Sequence, residues 1–138
     1  MAEQGPVFGQ GDATFRAAGG EPGIRRLVDC FYEIMQRDYP RIFSWHPPDI
    51  ERSRDKLACF LCGWMGGPRR YAEKYGSISI PGVHAHLPVD DAARDDWLQC
   101  MAAALAQLDY PVDFVDYLLT QLAMPANMIR RVALQQNS

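Results

Sequence analysis

Three side chains in the sequence have the chemistry needed to bind a small ligand at a metal centre. His84 supplies an imidazole from a short apolar segment, and Trp97 supplies an indole N–H further along the chain. In a small helical protein, one imidazole can hold a haem iron and one indole can donate a hydrogen bond to a gas bound there. Tyr32 adds a hydroxyl that can donate or accept. These side chains are therefore candidates for a gas-binding site. The alternative is structural, because a tryptophan on an inner helix face is usually part of the core and a buried tyrosine usually donates to a backbone carbonyl oxygen.

Length and composition favour one small domain. The 138 residues, 48% of them hydrophobic, can bury one core and are too few for two domains. The formal net charge is -3, from 14 Lys and Arg against 17 Asp and Glu, which gives no basic field to attract nucleic acid. No apolar run reaches the roughly 20 residues of a membrane span, and the first residues lack a signal-peptide pattern. We therefore expect a cytoplasmic monomer or weak homodimer that binds neither nucleic acid nor membrane.

The amino-terminal half predicts an extension and two helices. Residues 1–11, rich in Gly, Gln and Pro, are expected to be a flexible extension before a single domain at residues 12–138. Asp12 is a candidate cap for a short helix through Ala18, where two glycines break it. Apolar residues at three-four spacing then predict a longer helix. Its inner face comprises Ile24, Leu27, Val28, Phe31, Tyr32 and Met35.

Prolines and aspartates mark the boundaries of the later helices. Three prolines within residues 38–48 limit that stretch to a helical turn and a loop. Asp49 is expected to cap a helix that ends at Gly66-Gly67-Pro68, and a further short helix is expected within residues 71–80. Ile78-Ser79-Ile80 alternates like a strand, although no second run exists to pair with it. The inner face of the capped helix is predicted as Ile50, Ser53, Leu57, Phe60, Leu61 and Trp64.

Two more helices complete an all-helical prediction. Asp90 or Asp91 is expected to cap the first, and the second begins near Pro111. The inner face of the first is Ala93, Trp97, Cys100, Met101, Ala104, Leu105 and Leu108, and that of the second is Val115, Leu118, Leu119, Leu122, Ile129 and Val132.

The four cysteines, Cys30, Cys59, Cys62 and Cys100, lie in apolar, helix-like surroundings. Such residues usually behave as small buried hydrophobes. Cys59 and Cys62 have the spacing of a redox or zinc pair, but no second pair follows at zinc-finger spacing and no strand precedes them. A structural role is therefore favoured over a redox or metal-binding one.

A set of motifs follows in order along the chain: Phe31-Tyr32, His46-Pro47-Pro48-Asp49, Leu57 to Leu61, Gly63 to Pro68, Tyr71, Gly76, His84, and Arg94-Asp95-Asp96-Trp97 with Leu98, Cys100 and Met101. Together they resemble a truncated haemoglobin of group II, and the match runs from Phe15 to Arg131. The resemblance implies an all-α, two-over-two helical globin fold around haem b. Trp97, near the start of the penultimate helix, is the marker of the group.

Two histidines compete for the iron. In the family that the chain resembles, the proximal histidine lies eight residues after a glycine that matches Gly76 and thirteen before the tryptophan that matches Trp97, and His84 meets both spacings. His86 precedes a Leu-Pro pair similar to the family's pattern, so it stays the rival. If both lie on one helix, their directions differ by about 200°, so they cannot both face one iron.

The resemblance also implies the rest of the haem site. Tyr32, Trp97 and His46 would stabilise a bound ligand on the distal side. Propionate contacts are expected from Tyr71, Lys74 or Arg70, because Pro81-Gly82 and Val83 stand where relatives often have arginines. The expected haem contacts are Phe43, Ser53, Leu57, Phe60, Leu61, Tyr71, His84, Trp97 and Met101.

The function implied by the resemblance is binding of O2, NO, CO or peroxide. Two hydrogen-bond donors would slow O2 release, which favours nitric oxide or peroxide detoxification over simple transport. O2 and nitric oxide would combine to nitrate at the cost of one electron from the iron, which an external reductase would return. A peroxidase would use Tyr32, Trp97 and His46 as its polar set. Two alternatives stay open: a gas or redox sensor without turnover, and a haem-free helical interaction module.

Overall fold

A computed structural model describes residues 8–76 and 89–137, with side chains described up to residue 129. Within those ranges the chain is all-helical and contains no strand, which confirms the predicted fold class. Ile78-Ser79-Ile80 lies outside the described residues. In chain order the helices are α1 (Ala13–Ala17), α2 (Gly20–Asp38), α3 (Pro40–Phe43), α4 (Ile50–Trp64), α5 (Arg70–Tyr75), α6 (Asp91–Gln107) and α7 (Val112–Asn137).

Helix α2 lies at the centre of the fold. It packs against α4 on one side and α6 on another, while α6 packs against α7 and α4 against α5. Every residue of its predicted inner face is buried, so that prediction is confirmed. The three-four spacing directs these side chains to one stripe, which lets α2 pack against two other helices at once. None of the helices in the described ranges is long and apolar enough to span a membrane.

A sharp corner joins α1 to α2, as the paired glycines predict. Gly19 has a φ of 98°, a left-handed conformation that only glycine adopts at little cost. A Cβ on Gly23 would lie 2.1 Å from the carbonyl oxygen of Ala18, so the two helices approach closely there. Asp12 is the residue before α1, as expected, but its side chain accepts no capping hydrogen bond. It pairs with Arg16 at 3.0 Å instead.

The inner face of α4 differs from the prediction. Its buried residues are Ala58, Cys59, Leu61 and Cys62, whereas the other predicted members, including Leu57, Phe60 and Trp64, are half-buried. Ala and Cys side chains are small, so they allow α2 and α4 to approach closely. The larger side chains of Leu57, Phe60 and Trp64 are packed against the core.

Side-chain caps fix where α4 and α6 begin. Asp49 accepts a hydrogen bond from the backbone N–H of Arg52 at 3.2 Å, as predicted. Of the two candidates for α6, Asp90 is the cap, because it accepts from the backbone N–H of Ala93 at 2.8 Å. Two residues of the predicted inner face of α6, Trp97 and Leu108, are half-buried and the rest are buried. Phe114 on α7, which the prediction omitted, is fully buried.

Residues 8–11 are in turns that contact the helices. The ring of Phe8 lies 5.6 Å from that of Phe114 and 5.2 Å from that of Tyr117, both on α7. The backbone N–H of Gly9 donates to the Thr14 hydroxyl at 2.9 Å. These contacts tie the segment before α1 to α1 and to α7.

Candidate functional site

Aromatic side chains from three segments bring the predicted distal residues together. Tyr32 on α2 is buried, with 4% of its surface exposed. Its ring meets that of His46, in the loop after α3, edge to face at 5.2 Å. Phe31 lies 5.6 Å from Tyr32 and 5.3 Å from Trp97 on α6, again edge to face. The structure therefore links Tyr32 to His46 directly and to Trp97 through the ring of Phe31.

Tyr32 is held as a neutral phenol. Burial raises its pKa to about 12, and the positive charge of Arg54 opposes that shift only in part. The hydroxyl therefore keeps its proton at any physiological pH. Trp97, on α6, adds an indole N–H. Both are donors that can be directed at a ligand.

His46 has a defined tautomer. Its Nδ1 lies 3.1 Å from the carbonyl oxygen of Ile42 and 3.2 Å from that of Phe43. Carbonyl oxygens only accept hydrogen bonds, so Nδ1 carries a proton. In the neutral imidazole the proton on Nδ1 leaves Nε2 as an acceptor. Nε2 of neutral His46 can therefore accept a hydrogen bond from Tyr32 or from a ligand, but it cannot donate one.

The predicted apolar haem contacts are all at least partly buried. Met101 is fully buried and Leu61 nearly so. The others are half-buried and pack against the core: Phe43, Leu57, Phe60 and Trp97. Ser53 is half-buried on the same helix as Leu57. A mostly apolar surface with a few N–H and O–H donors fits haem and a small bound ligand. His84 and His86 lie outside the described residues.

The candidate propionate contacts lie on α5. Tyr71 is half-buried, and its ring is 5.1 Å from that of Tyr75. Arg70 pairs with Glu21 at 3.6 Å, and Lys74 pairs with Asp55 at 2.7 Å. Both cations therefore already have carboxylate partners, so a propionate would have to compete with them. Tyr71 is uncharged, so it could bind a propionate without first leaving an ion pair.

Asp55 joins α4 to α2 and α5. It pairs with Arg25 at 3.1 Å as well as with Lys74, and it accepts a hydrogen bond from the Tyr75 hydroxyl. Hydrogen bonds from Lys74, then Tyr75, then Arg25 hold the pKa of Asp55 far below its ordinary value, against the opposing effect of partial burial. Sequence analysis did not identify this network, since its members are far apart in the chain.

The cysteines behave as the sequence predicts. All four are free and buried. Burial raises the pKa of Cys59 and Cys62, and it raises that of Cys100 to about 12. High thiol pKa values disfavour the reactive thiolate. Over the described ranges, no group of three or more His, Cys, Asp or Glu side chains is arranged to hold a metal ion.

One charged residue beside Tyr32 was not among the site residues predicted from the sequence. Arg54 follows Ser53 on α4, and its guanidinium carbon lies 5.9 Å from the centre of the Tyr32 ring. Its position one residue off the predicted inner face is the signal that could have drawn attention to it. Only the packing of α4 on α2 shows which side chain it approaches.

Comparisons with known proteins show which family and which fold this chain is similar to. The family model described as bacterial-like globin matches residues 13–130. Group 2 truncated hemoglobin YjbI of Bacillus subtilis is 28% identical over 120 residues, which cover 86% of this chain and 90% of that protein. The structure of the group II truncated hemoglobin from Bacillus anthracis superposes with a TM-score of 0.80 at 27% identity, covering 92% of each chain.

A third relative is a truncated oxygen-avid haemoglobin from Bacillus subtilis, at 27% identity and a TM-score of 0.76. The match covers 84% of this chain and 97% of that one. The predicted two-over-two globin fold is confirmed by these structures, and such a fold implies a haem cofactor and diatomic gas ligands such as O2. The chain therefore belongs to the bacterial-like globin family, and it has the fold of the group II truncated haemoglobins.

Proposed function

We propose that this protein is a single-domain cytoplasmic haem protein that binds O2 with slow release and uses it to detoxify nitric oxide or peroxide. The observation that carries the proposal is the pair of donors, Tyr32 and Trp97, held on either side of Phe31. Haem b, when bound, would supply an iron that takes a diatomic ligand. We assign that iron to His84, with His86 as the rival.

The distal residues have distinct parts in this proposal. Tyr32 and Trp97 donate hydrogen bonds to the ligand, and a donor bonded to a charged acceptor contributes about 1.5 to 3 kcal/mol. Neutral His46 accepts through Nε2, so it would hold a proton that the ligand carries, while the single Tyr32 proton stays directed at the ligand. Phe43, Leu57, Phe60, Leu61 and Met101 keep water away, which strengthens each hydrogen bond. The oxygen-avid relative from Bacillus subtilis supports slow release.

Slow release favours chemistry on the bound gas over transport. Nitric oxide and O2 would combine to nitrate with one added electron, which a bound haem would supply and an external reductase would have to return. This stoichiometry gives a direct test. The reduced protein, loaded with O2 and mixed with one equivalent of nitric oxide, should yield one equivalent of nitrate and the oxidised protein within the mixing time.

The same experiment separates the proposal from its alternatives. A gas sensor without turnover would bind nitric oxide or O2 and yield no nitrate over repeated additions in the presence of a reductant. The peroxidase alternative predicts consumption of hydrogen peroxide together with a reducing dye, at a rate that falls in Tyr32→Phe. Uptake of neither haem nor gas would contradict the proposed function as a whole.

A further inference from the structure

Arg54 is a charged side chain partly buried behind the distal cluster. Only 25% of its side chain is exposed, although it lies on the first half of α4, whose outer residues are open to solvent. Its Nε is buried and has no hydrogen-bond partner among the described residues. A buried N–H without a partner is costly, so its placement has a compensating contact or a functional reason.

The compensating contact is the face of the Tyr32 ring. The guanidinium carbon lies 5.9 Å from the ring centre, within the range at which a cation is attracted to an aromatic face. On its other side, Arg54 has two carboxylates at longer range, Asp29 at 3.6 Å and Glu51 at 3.9 Å. Both carboxylates are mostly exposed, so water screens their charge. The charge of Arg54 therefore acts most strongly on the buried phenol.

We infer that Arg54 is a positioning residue that tunes Tyr32, making its hydroxyl a stronger hydrogen-bond donor to the bound ligand. A positive charge over the ring draws electron density from the phenol oxygen, and a more acidic O–H donates more strongly. The inference rests on the proposed function, because it assumes that Tyr32 faces the ligand. Arg54 itself touches neither the ligand nor the haem in this account.

The test uses the full chain loaded with haem and five variants. Arg54→Gln removes the charge and keeps much of the side-chain length, while Arg54→Lys keeps a charge. Arg52→Gln is the matched control, because the Arg52 guanidinium carbon lies at the same 5.9 Å from the ring of another tyrosine, Tyr75. The remaining two are Tyr32→Phe alone and Tyr32→Phe combined with Arg54→Gln.

The expected result in Arg54→Gln is release of O2 about threefold to tenfold faster than in the parent chain. The C–O stretching frequency of the carbon monoxide complex should rise in the same variant, since a weaker donor field places less electron density in the antibonding orbitals of the C–O bond. Arg54→Lys and Arg52→Gln should stay close to the parent in both measurements. In the Tyr32→Phe background, Arg54→Gln should change neither.

A second readout does not require haem. With 3-fluorotyrosine in place of tyrosine, the fluorine resonance that is missing in Tyr32→Phe reports the titration of that phenol. Its midpoint should move to higher pH in Arg54→Gln and stay in place in Arg52→Gln. If the chain takes up no haem, the proposed function fails while this titration still tests the coupling.

Three outcomes would overturn the inference. They are an equal effect of Arg54→Gln with and without Tyr32, an effect of Arg54→Lys as large as that of Arg54→Gln, and an unchanged fluorine midpoint. A merely structural Arg54, holding α4 to α2 through Asp29, would lower the melting temperature and give the first of these outcomes.

Discussion

The ring of Tyr32 meets the imidazole of His46 edge to face, with the ring centres 5.2 Å apart. This contact joins the core of α2 to the loop after α3. It places the Tyr32 hydroxyl, which can donate a hydrogen bond, beside an imidazole whose Nε2 can only accept one while the ring is neutral. The two residues therefore have opposite roles towards a ligand, and substitutions should separate them.

Replacing Tyr32 by Phe should speed O2 release by about tenfold to a hundredfold, because a hydrogen bond to a charged acceptor is lost. Trp97→Phe should act in the same direction, since it removes the indole N–H and keeps an aromatic ring next to Phe31. Stopped-flow release of O2 into excess carbon monoxide measures both.

The matched control for these substitutions is Tyr110→Phe. The Tyr110 hydroxyl donates to the Ala18 carbonyl oxygen at 2.6 Å, away from the distal cluster. We expect this variant to melt at a lower temperature and to release O2 at the parent rate. An equal acceleration in Tyr110→Phe would mean that loosening of the fold, not loss of a donor, explains the effect.

His46→Phe should not speed O2 release in the way that Tyr32→Phe does. The Nδ1 proton of His46 is held by the Ile42 and Phe43 carbonyl oxygens, so the neutral side chain has no second proton for the ligand. At pH 8 we expect a rate within about threefold of the parent. A tenfold or greater acceleration at that pH would show that His46 donates to the ligand, which contradicts its assignment as an acceptor.

Asp55→Asn should destabilise the fold by about 1 to 3 kcal/mol, because one carboxylate satisfies three partners on α2 and α5. The pKa of Asp55 is lowered in the folded chain, so its contribution is present above the ordinary Asp pKa and is lost as the pH falls. The free energy of unfolding, measured by denaturant titration from pH 7 to pH 3, should therefore fall less steeply in the variant.

The control for Asp55 is Asp12→Asn. Asp12 pairs with Arg16 at the surface, with 53% of its side chain exposed, and such pairs contribute little to stability. If both variants lose the same stability and the same dependence on pH, the three-helix network around Asp55 has no special role.

The buried thiols should resist modification. Cys59 and Cys62 share one helix and both have raised pKa values, so at pH 8 a disulfide reagent should label them at least about a hundredfold more slowly in the folded than in the unfolded protein. Mass spectrometry after timed labelling identifies the sites. Rapid labelling of Cys59 and Cys62 alone would favour the redox role that the sequence left open.

The sequence predicts most of the fold because its signals are local. The inner face of α2, the glycine corner before it and the cap at Asp49 follow from spacing and backbone preference, and all three are confirmed. The buried face of α4 could not be predicted in the same way. Its deepest residues are small, so they carry a weak hydrophobic signal, and close approach of α2 is what buries them.

The residues of the candidate site show the same difference between local sequence signals and effects of helix packing. Tyr32 and Trp97 could be identified from helix faces and from the family resemblance. Arg54 could not, because its role depends on which ring lies beside it after α4 packs on α2. The choice between His84 and His86 rests on spacing alone, and it stays a prediction.

The measurement that tests the central claim most directly is the absorption spectrum of the haem-loaded protein in its oxidised, reduced and carbon monoxide-bound forms, beside His84→Ala and His86→Ala. We predict a histidine-ligated spectrum in the parent and in His86→Ala, and its loss in His84→Ala. A spectrum lost only in His86→Ala would move the iron to that residue, and a parent chain that takes up no haem would contradict the account.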